Sequence, residues 1–237
     1  MSREAFDRQI QSLMEEILLL GSMVEDVIQE SIETLKTRDF EAARQIYKFD
    51  RKINKKRFQI ENDTLIVIAT QGPMASDLRI LASILEVSGE LERMGDYAKG
   101  IALINVRMGD EPLLKPLIDI PKMADITVDM LHRALEAFVN VDKVKAEEIP
   151  ADDDKVDELY DRVYRDLVDI MIKDPTTIDR ATYLLWVAHN LERAADRVTN
   201  ICERIRFMAT GELFEFKSSD DEMKKKHIHQ LMSPDAE

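Results

Sequence analysis

Hydrophobic residues recur at spacings of three and four along most of this chain, a pattern that predicts long amphipathic helices. The pattern is clearest in two segments that share one rhythm. The earlier segment places its apolar residues at Ile84, Val87, Leu91, Met94, Ala98 and Ile101. The later segment places them at Leu184, Val187, Leu191, Ala194, Val198, Ile201, Ile205 and Met208. A seam of this kind is typical of helices that pack at shallow crossing angles.

Polar and proline-rich breaks divide the chain into six predicted helices. They span about residues 3–37, 39–70, 77–108, 122–139, 142–173 and 174–210. Asp39 and Asp142 are the predicted N-caps of the second and fifth helices, because a short acidic side chain can accept from free backbone N–H groups. Ser76 or Asp77 is predicted to cap the third helix, which follows a Gly-Pro break.

The motif Leu-Glu-Arg-x-x-Asp occurs twice, at residues 91–96 and 191–196, which is an offset of 100 residues. The same offset brings together further identical residues, among them Leu85/Leu185, Val87/Val187, Ile101/Ile201 and Met108/Met208. A repeat of this length predicts two similar units stacked on each other. The predicted fold is all-α, with two tandem antiparallel three-helix bundles. The predicted division is 1–110, a linker 111–121, 122–211 and a mobile tail 212–237.

Proline interrupts the second copy of the repeat. Pro150 falls inside the fifth predicted helix, where the first half has Tyr47. Proline inside a helix removes a hydrogen bond and clashes with the preceding turn, so this helix should kink or break. The run Asp152-Asp153-Asp154 follows at once, and it leaves the register of the second-half aspartate open by one residue.

The composition limits which partners the protein could bind and in which cellular compartment it could lie. With 33 basic and 47 acidic residues the net charge is −14, which disfavours contact with nucleic acid or anionic lipid and favours cations or basic protein surfaces. Cys202 is the single cysteine, which excludes an internal disulfide and indicates a reducing cytosol. The longest apolar run, residues 65–69, is too short to cross a membrane, so no direct membrane insertion is expected.

Carboxylates at matching positions of the two halves are the candidate chemistry. Glu92 and Asp96 lie four residues apart and therefore share a helix face turned away from the seam. The preceding helix of each half repeats the spacing, and the full set is Asp50, Asn54, Glu92 and Asp96 in the first half and Asp153, Asp157, Glu192 and Asp196 in the second. Oxygen-rich sites suit hard cations. The alternative is a solvated face whose charges are balanced by Arg93 and Arg193.

Catalytic signatures are weak. There is no core-facing Glu-x-x-His motif, no phosphate-binding glycine loop and no plausible nucleophile with a base, so a non-enzymatic role is predicted. His189 precedes Glu192 by three residues but has Gly89 as its first-half counterpart, and it is interpreted as a local packing or capping residue. His227 and His229 are interpreted as a surface cluster. A metal-dependent carboxylate enzyme and a purely structural scaffold remain the alternatives.

These motifs carry a family likeness. The two Leu-Glu-Arg-x-x-Asp motifs, the segment Ala75-Ser76-Asp77-Leu78-Arg79 and the acidic segments 50–54 and 153–157 resemble those of the PhoU family of bacterial phosphate-signalling regulators. The resemblance covers roughly residues 5–212. It implies a cytoplasmic negative regulator of the phosphate-starvation response and of phosphate uptake. It also implies action with the ATP-binding subunit of a phosphate ABC transporter and with a sensor histidine kinase, and a homodimer.

The resemblance further implies metal at the acidic motifs. Some family members bind multinuclear iron or zinc clusters on the outer faces of their bundles. Carried onto this chain, the ligands are the eight residues named above, among which Asn54 offers only a neutral oxygen. A divalent or multinuclear metal, whether Fe, Zn, Mn or Mg, is therefore expected.

Overall fold

The computed structural model describes residues 3–216, which form seven α-helices. The helices are α1 (Arg3–Thr37), α2 (Phe40–Gln71), α3 (Ala75–Arg107), α4 (Asp119–Asn140), α5 (Lys143–Glu148), α6 (Asp153–Lys173) and α7 (Ile178–Thr210). Short 3-10 turns at Ile149–Asp152 and Pro175–Thr177 lead into α6 and α7. The expectations for residues 217–237, including His227 and His229, lie outside the described residues.

Two tandem three-helix bundles form, as predicted. Helices α1, α2 and α3 pack on one another, and α4, α6 and α7 do the same, with α5 leading into α6. The seam predicted for α3 is buried: Ile84, Val87, Leu91 and Met94 have no exposed surface. The two bundles contact each other where α3 packs on α7 and α1 packs on α4. The buried apolar residues of both bundles form one hydrophobic core.

The predicted break in the fifth helix is confirmed. Pro150 lies in the first turn of the 3-10 segment that separates α5 from α6, where its missing N–H is not needed. The break also settles the register of the aspartate run. Asp153 begins α6 and is 8% exposed, like Asp50 of α2, whereas Asp154 is exposed. Asp153 is therefore the second-half counterpart of Asp50.

Two predicted caps are confirmed and one is wrong. The Asp39 carboxylate accepts from the backbone N–H of the third residue after it, and the Asp142 carboxylate accepts from two N–H groups of α5. Helix α3 instead begins at Ala75 without a side-chain cap, so neither Ser76 nor Asp77 caps it. Asp77 is buried and accepts from the Arg3 guanidinium at 2.6 and 3.0 Å, a partner 74 residues away.

Polar contacts join the bundles along α3 and α7. The Glu90 carboxylate accepts from Arg197 at 3.3 Å and from Asn200 at 3.1 Å. The Arg193 guanidinium lies 4.9 Å from the centre of the Tyr97 ring.

Helix α4 begins at Asp119, three residues before its predicted start. Among residues 3–216, no helix combines the length and apolar character that crossing a membrane requires.

Candidate functional site: two acidic clusters

The first acidic cluster lies between α2 and α3 and contains a lysine. We define it as Asp50, Asn54, Glu92, Asp96 and Lys99. Lys99 follows Asp96 by three residues, so the two side chains share a helix face. Its Nζ donates to Asp96 Oδ1 at 3.0 Å and, across the helix pair, to Asp50 Oδ2 at 3.0 Å. Two of the predicted ligands are thus brought together, and the atom between them is an ammonium nitrogen.

Asn54 is a donor in this cluster. Its side-chain nitrogen donates to the Asp50 backbone carbonyl at 3.1 Å and to Asp50 Oδ2 at 3.2 Å. The expected role of Asn54 was a neutral oxygen ligand, and this amide orientation directs its nitrogen at the carboxylate instead. Asp50 Oδ2 therefore accepts from both Asn54 and Lys99, while the buried Asp50 Oδ1 has no hydrogen-bond partner.

Glu92 is half-buried beside these residues. Burial is the main cause that raises the pKa of Glu92, and the nearby Asp96 carboxylate raises it further. The Arg57 guanidinium opposes this shift, and it also donates to Glu61 at 2.7 Å. Both predicted residues of the α3 motif therefore lie in the cluster. Glu92, however, is partly withdrawn from solvent, whereas Asp96 is exposed as expected.

The second acidic cluster lies between α6 and α7 and has a threonine where the first has a lysine. We define it as Asp153, Asp157, Glu192, Asp196 and Thr199. The Thr199 hydroxyl donates to Asp153 Oδ2 at 3.1 Å, while Asp153 Oδ1 is buried without a hydrogen-bond partner. Burial, followed by the nearby Asp196 and Asp157 carboxylates, raises the pKa of Asp153 to about 7. The charge of Asp153 is thus poorly compensated by its surroundings.

His189 lies at the edge of the second cluster. Its Nδ1 is 3.1 Å from Glu192 Oε2, and its ring centre is 6.2 Å from that of Tyr160. Partial burial, followed by the nearby Arg193, lowers the pKa of His189 and favours the neutral ring. The spacing of three residues between His189 and Glu192 is visible in the sequence and indicates this contact.

Comparison with known protein families finds the same domain twice in this chain, once around each acidic cluster. The model of the PhoU domain matches residues 17–104 and again residues 120–205. The chain belongs to the PhoU family. Each PhoU match contains one copy of the Leu-Glu-Arg-x-x-Asp motif and the acidic segment that faces it.

Individual PhoU proteins resemble the chain over nearly its whole length. It is 35% identical over 212 residues to the phosphate-specific transport system accessory protein PhoU homolog of Clostridium acetobutylicum, covering 89% of this chain and 97% of that protein. It is 32% identical over 219 residues to phosphate-specific transport system accessory protein PhoU of Escherichia coli, covering 91% and 90%. The crystal structure of the phosphate transport system regulatory protein PhoU from Streptococcus pneumoniae matches with a TM-score of 0.83 at 31% identity, covering 89% and 100%.

Metal, which the resemblance to the PhoU family implies, fits the two clusters unequally. Within residues 3–216 no three His, Cys, Asp or Glu side chains are grouped so that they could hold an ion as they stand. The first cluster does not fit, because an ammonium group lies between its carboxylates. The second fits in its chemistry, because the Asp196 and Asp157 carboxylates lie near Asp153, whose buried Oδ1 lacks a hydrogen-bond partner, and because the donor to Asp153 is a neutral hydroxyl; side chains would have to turn toward the ion.

Proposed function

We propose that this protein is a non-enzymatic, cytoplasmic regulator that limits phosphate uptake and represses the phosphate-starvation response. The observation that carries the proposal is the double PhoU match together with PhoU relatives named as accessory or regulatory proteins of phosphate transport. The proposed partners are the ATP-binding subunit of a phosphate ABC transporter and a sensor histidine kinase. The protein is proposed to act as a homodimer.

Charge supports a role in docking. The net charge of −14 and the acidic clusters favour approach to basic patches on partner proteins, since complementary charge accelerates association. Free phosphate is repelled by the same surfaces. A cation bound in the second cluster would offset the repulsion among its carboxylates and provide a local positive centre.

The regulatory role is tested in cells that lack the gene. At high external phosphate we expect their initial rate of phosphate uptake and the output of a phosphate-starvation reporter to rise several-fold. Reintroducing the wild-type protein should restore both. The control is a strain that also lacks the ATP-binding subunit, in which deletion should no longer change uptake. Unchanged uptake and reporter output in the first strain would contradict the proposal.

We further propose that the second cluster binds a divalent or multinuclear metal, with Asp153, Asp157, Glu192 and Asp196 as ligands. The double substitution Glu192→Ala with Asp196→Ala should remove bound Fe, Zn, Mn or Mg, as measured by elemental analysis of the purified protein. Circular dichroism should show unchanged helicity, because both side chains are only half-buried. The matched control is Glu92→Ala with Asp96→Ala. Equal trace metal in the parent and both variants would refute the metal site.

A further inference from the structure

Lys99 occupies the place in the first cluster where a cation would sit. Its ammonium contacts the Asp50 and Asp96 carboxylates, each at 3.0 Å, and lies 5.8 Å from the centre of the Tyr47 ring. The Lys99 side chain is 26% exposed and that of Asp50 is 10% exposed. The ammonium is therefore held in a partly dehydrated position by groups from two helices.

Competition for the same oxygen atoms follows from this geometry. Asp50 Oδ2 already accepts from Lys99 and Asn54, so a metal ion binding to that atom would have to displace at least one of these donors. Lysine side chains are ordinarily protonated at neutral pH, so the ammonium held between Asp50 and Asp96 carries a positive charge and repels an incoming cation.

The second bundle has a threonine at the matching place. Thr199 is the residue 100 positions after Lys99, and it gives Asp153 a neutral hydroxyl. The second-half counterpart of Asn54 is Asp157, 103 positions later. The first cluster therefore combines three carboxylates with one ammonium, whereas the second combines four carboxylates with a hydroxyl.

We propose that Lys99 is a built-in cation that closes the first acidic cluster to metal ions and confines metal binding to the second bundle. The closure by Lys99 rests on the contacts in the first cluster alone. The confinement to the second bundle rests on the metal binding proposed above.

A reciprocal exchange tests both parts. Wild type, Lys99→Thr and Thr199→Lys are dialysed against Mn²⁺ and, separately, Zn²⁺, and the ions bound per chain are measured together with the shift in melting temperature. We expect Lys99→Thr to bind additional metal and to gain a larger melting shift than wild type. Thr199→Lys should lose the metal of the wild type. Lys48→Thr, at an exposed lysine of α2, is the matched control and should resemble wild type.

Further variants show where the additional ions bind and keep the test interpretable if one variant does not fold. Adding Asp50→Asn and Asp96→Asn to Lys99→Thr should abolish the gained metal. Lys99→Gln keeps a donor for one carboxylate and should also gain metal, which covers the case in which Lys99→Thr does not fold. Folded lysine variants that bind no more metal than wild type would overturn the closure. Metal in Lys99→Thr but none in wild type would uphold the closure and overturn the confinement to the second bundle.

Discussion

The two acidic clusters place carboxylates at equivalent positions of a duplicated fold but compensate them differently. In the first, the Lys99 ammonium bridges Asp50 and Asp96. In the second, Thr199 gives Asp153 one hydrogen bond, and burial, followed by the neighbouring Asp196 and Asp157 carboxylates, raises the pKa of Asp153 to about 7. The comparison shows that a motif shared by two halves does not by itself define a site. Three residues beyond the motif, the first half has a lysine that contacts its buried aspartate and the second half has a threonine that does so.

The largest expected effect is the loss of the fixed cation. Lys99→Ala should lower the free energy of unfolding by roughly 2–4 kcal/mol, because a buried carboxylate loses its charged partner. Thr199→Ala removes only a neutral hydrogen bond and should cost about 1–2 kcal/mol. Urea unfolding of both variants in a chelator measures the difference. An equal or smaller loss for Lys99→Ala would show that the ammonium contributes little to the first cluster.

A second prediction concerns how the stability of the protein depends on pH through the second cluster. The pKa of Asp153 is raised to about 7 from its ordinary value near 3.8, so the folded state binds this proton more tightly than the unfolded state. The stability contributed by the protonated carboxyl is fully present below the ordinary pKa and is lost as pH rises toward 7. Asp153→Asn should therefore flatten the pH dependence and, without metal, stabilise the protein by roughly 1–3 kcal/mol at pH 8.

Chelator-treated protein and a series of buffers from pH 5 to pH 8 provide the measurement. Asp154→Asn is the control, because that neighbouring carboxylate is exposed. If Asp153→Asn and Asp154→Asn change the pH profile equally, the net charge of the chain and not the burial of Asp153 accounts for the effect.

The smallest expected effect lies in the packing beneath the two motifs. A Cβ at Gly95 would lie 3.0 Å from Ile53 Cδ1 and 3.3 Å from its Cγ2. The second half has Ala195 at the position of Gly95 and the smaller Val156 at the position of Ile53. Gly95→Ala should thus be more favourable by about 1 kcal/mol in an Ile53→Val background than in wild type. A double-mutant cycle in urea measures this coupling, and additive effects would exclude the contact.

Local and periodic features of the fold could be predicted from the sequence. The apolar seam correctly predicts the buried face of α3. Asp39 and Asp142 are confirmed as N-caps, and Pro150 is confirmed as a helix break. Each of these depends on residues within a few positions along the chain. The Gly-Pro break predicts Ser76 or Asp77 as the cap of α3, and this prediction fails because the partner of Asp77, Arg3, lies on another helix and leaves no local signal in the sequence.

In the candidate site too, features set by local spacing could be predicted from the sequence, whereas contacts between helices could not. The spacing of four residues placed the carboxylates of each helix on one face, and the duplication paired Asp50 with an aspartate near residue 153. The role of Lys99 was missed, because its contact with Asp50 depends on how α2 and α3 are aligned. The choice of Asp153 within its aspartate run depends on the 3-10 turn that contains Pro150, and the length of that turn cannot be read from the sequence.

The hydrophobic core, finally, is continuous across both halves. Helices that share a core tend to unfold together, so the chain should melt in one cooperative transition and not in two. A ligand that binds only the native state stabilises it by about 2.7 kcal/mol at a free concentration one hundred times its dissociation constant. An ion held by α6 and α7 would therefore also protect α1, α2 and α3 from unfolding, although it touches none of them.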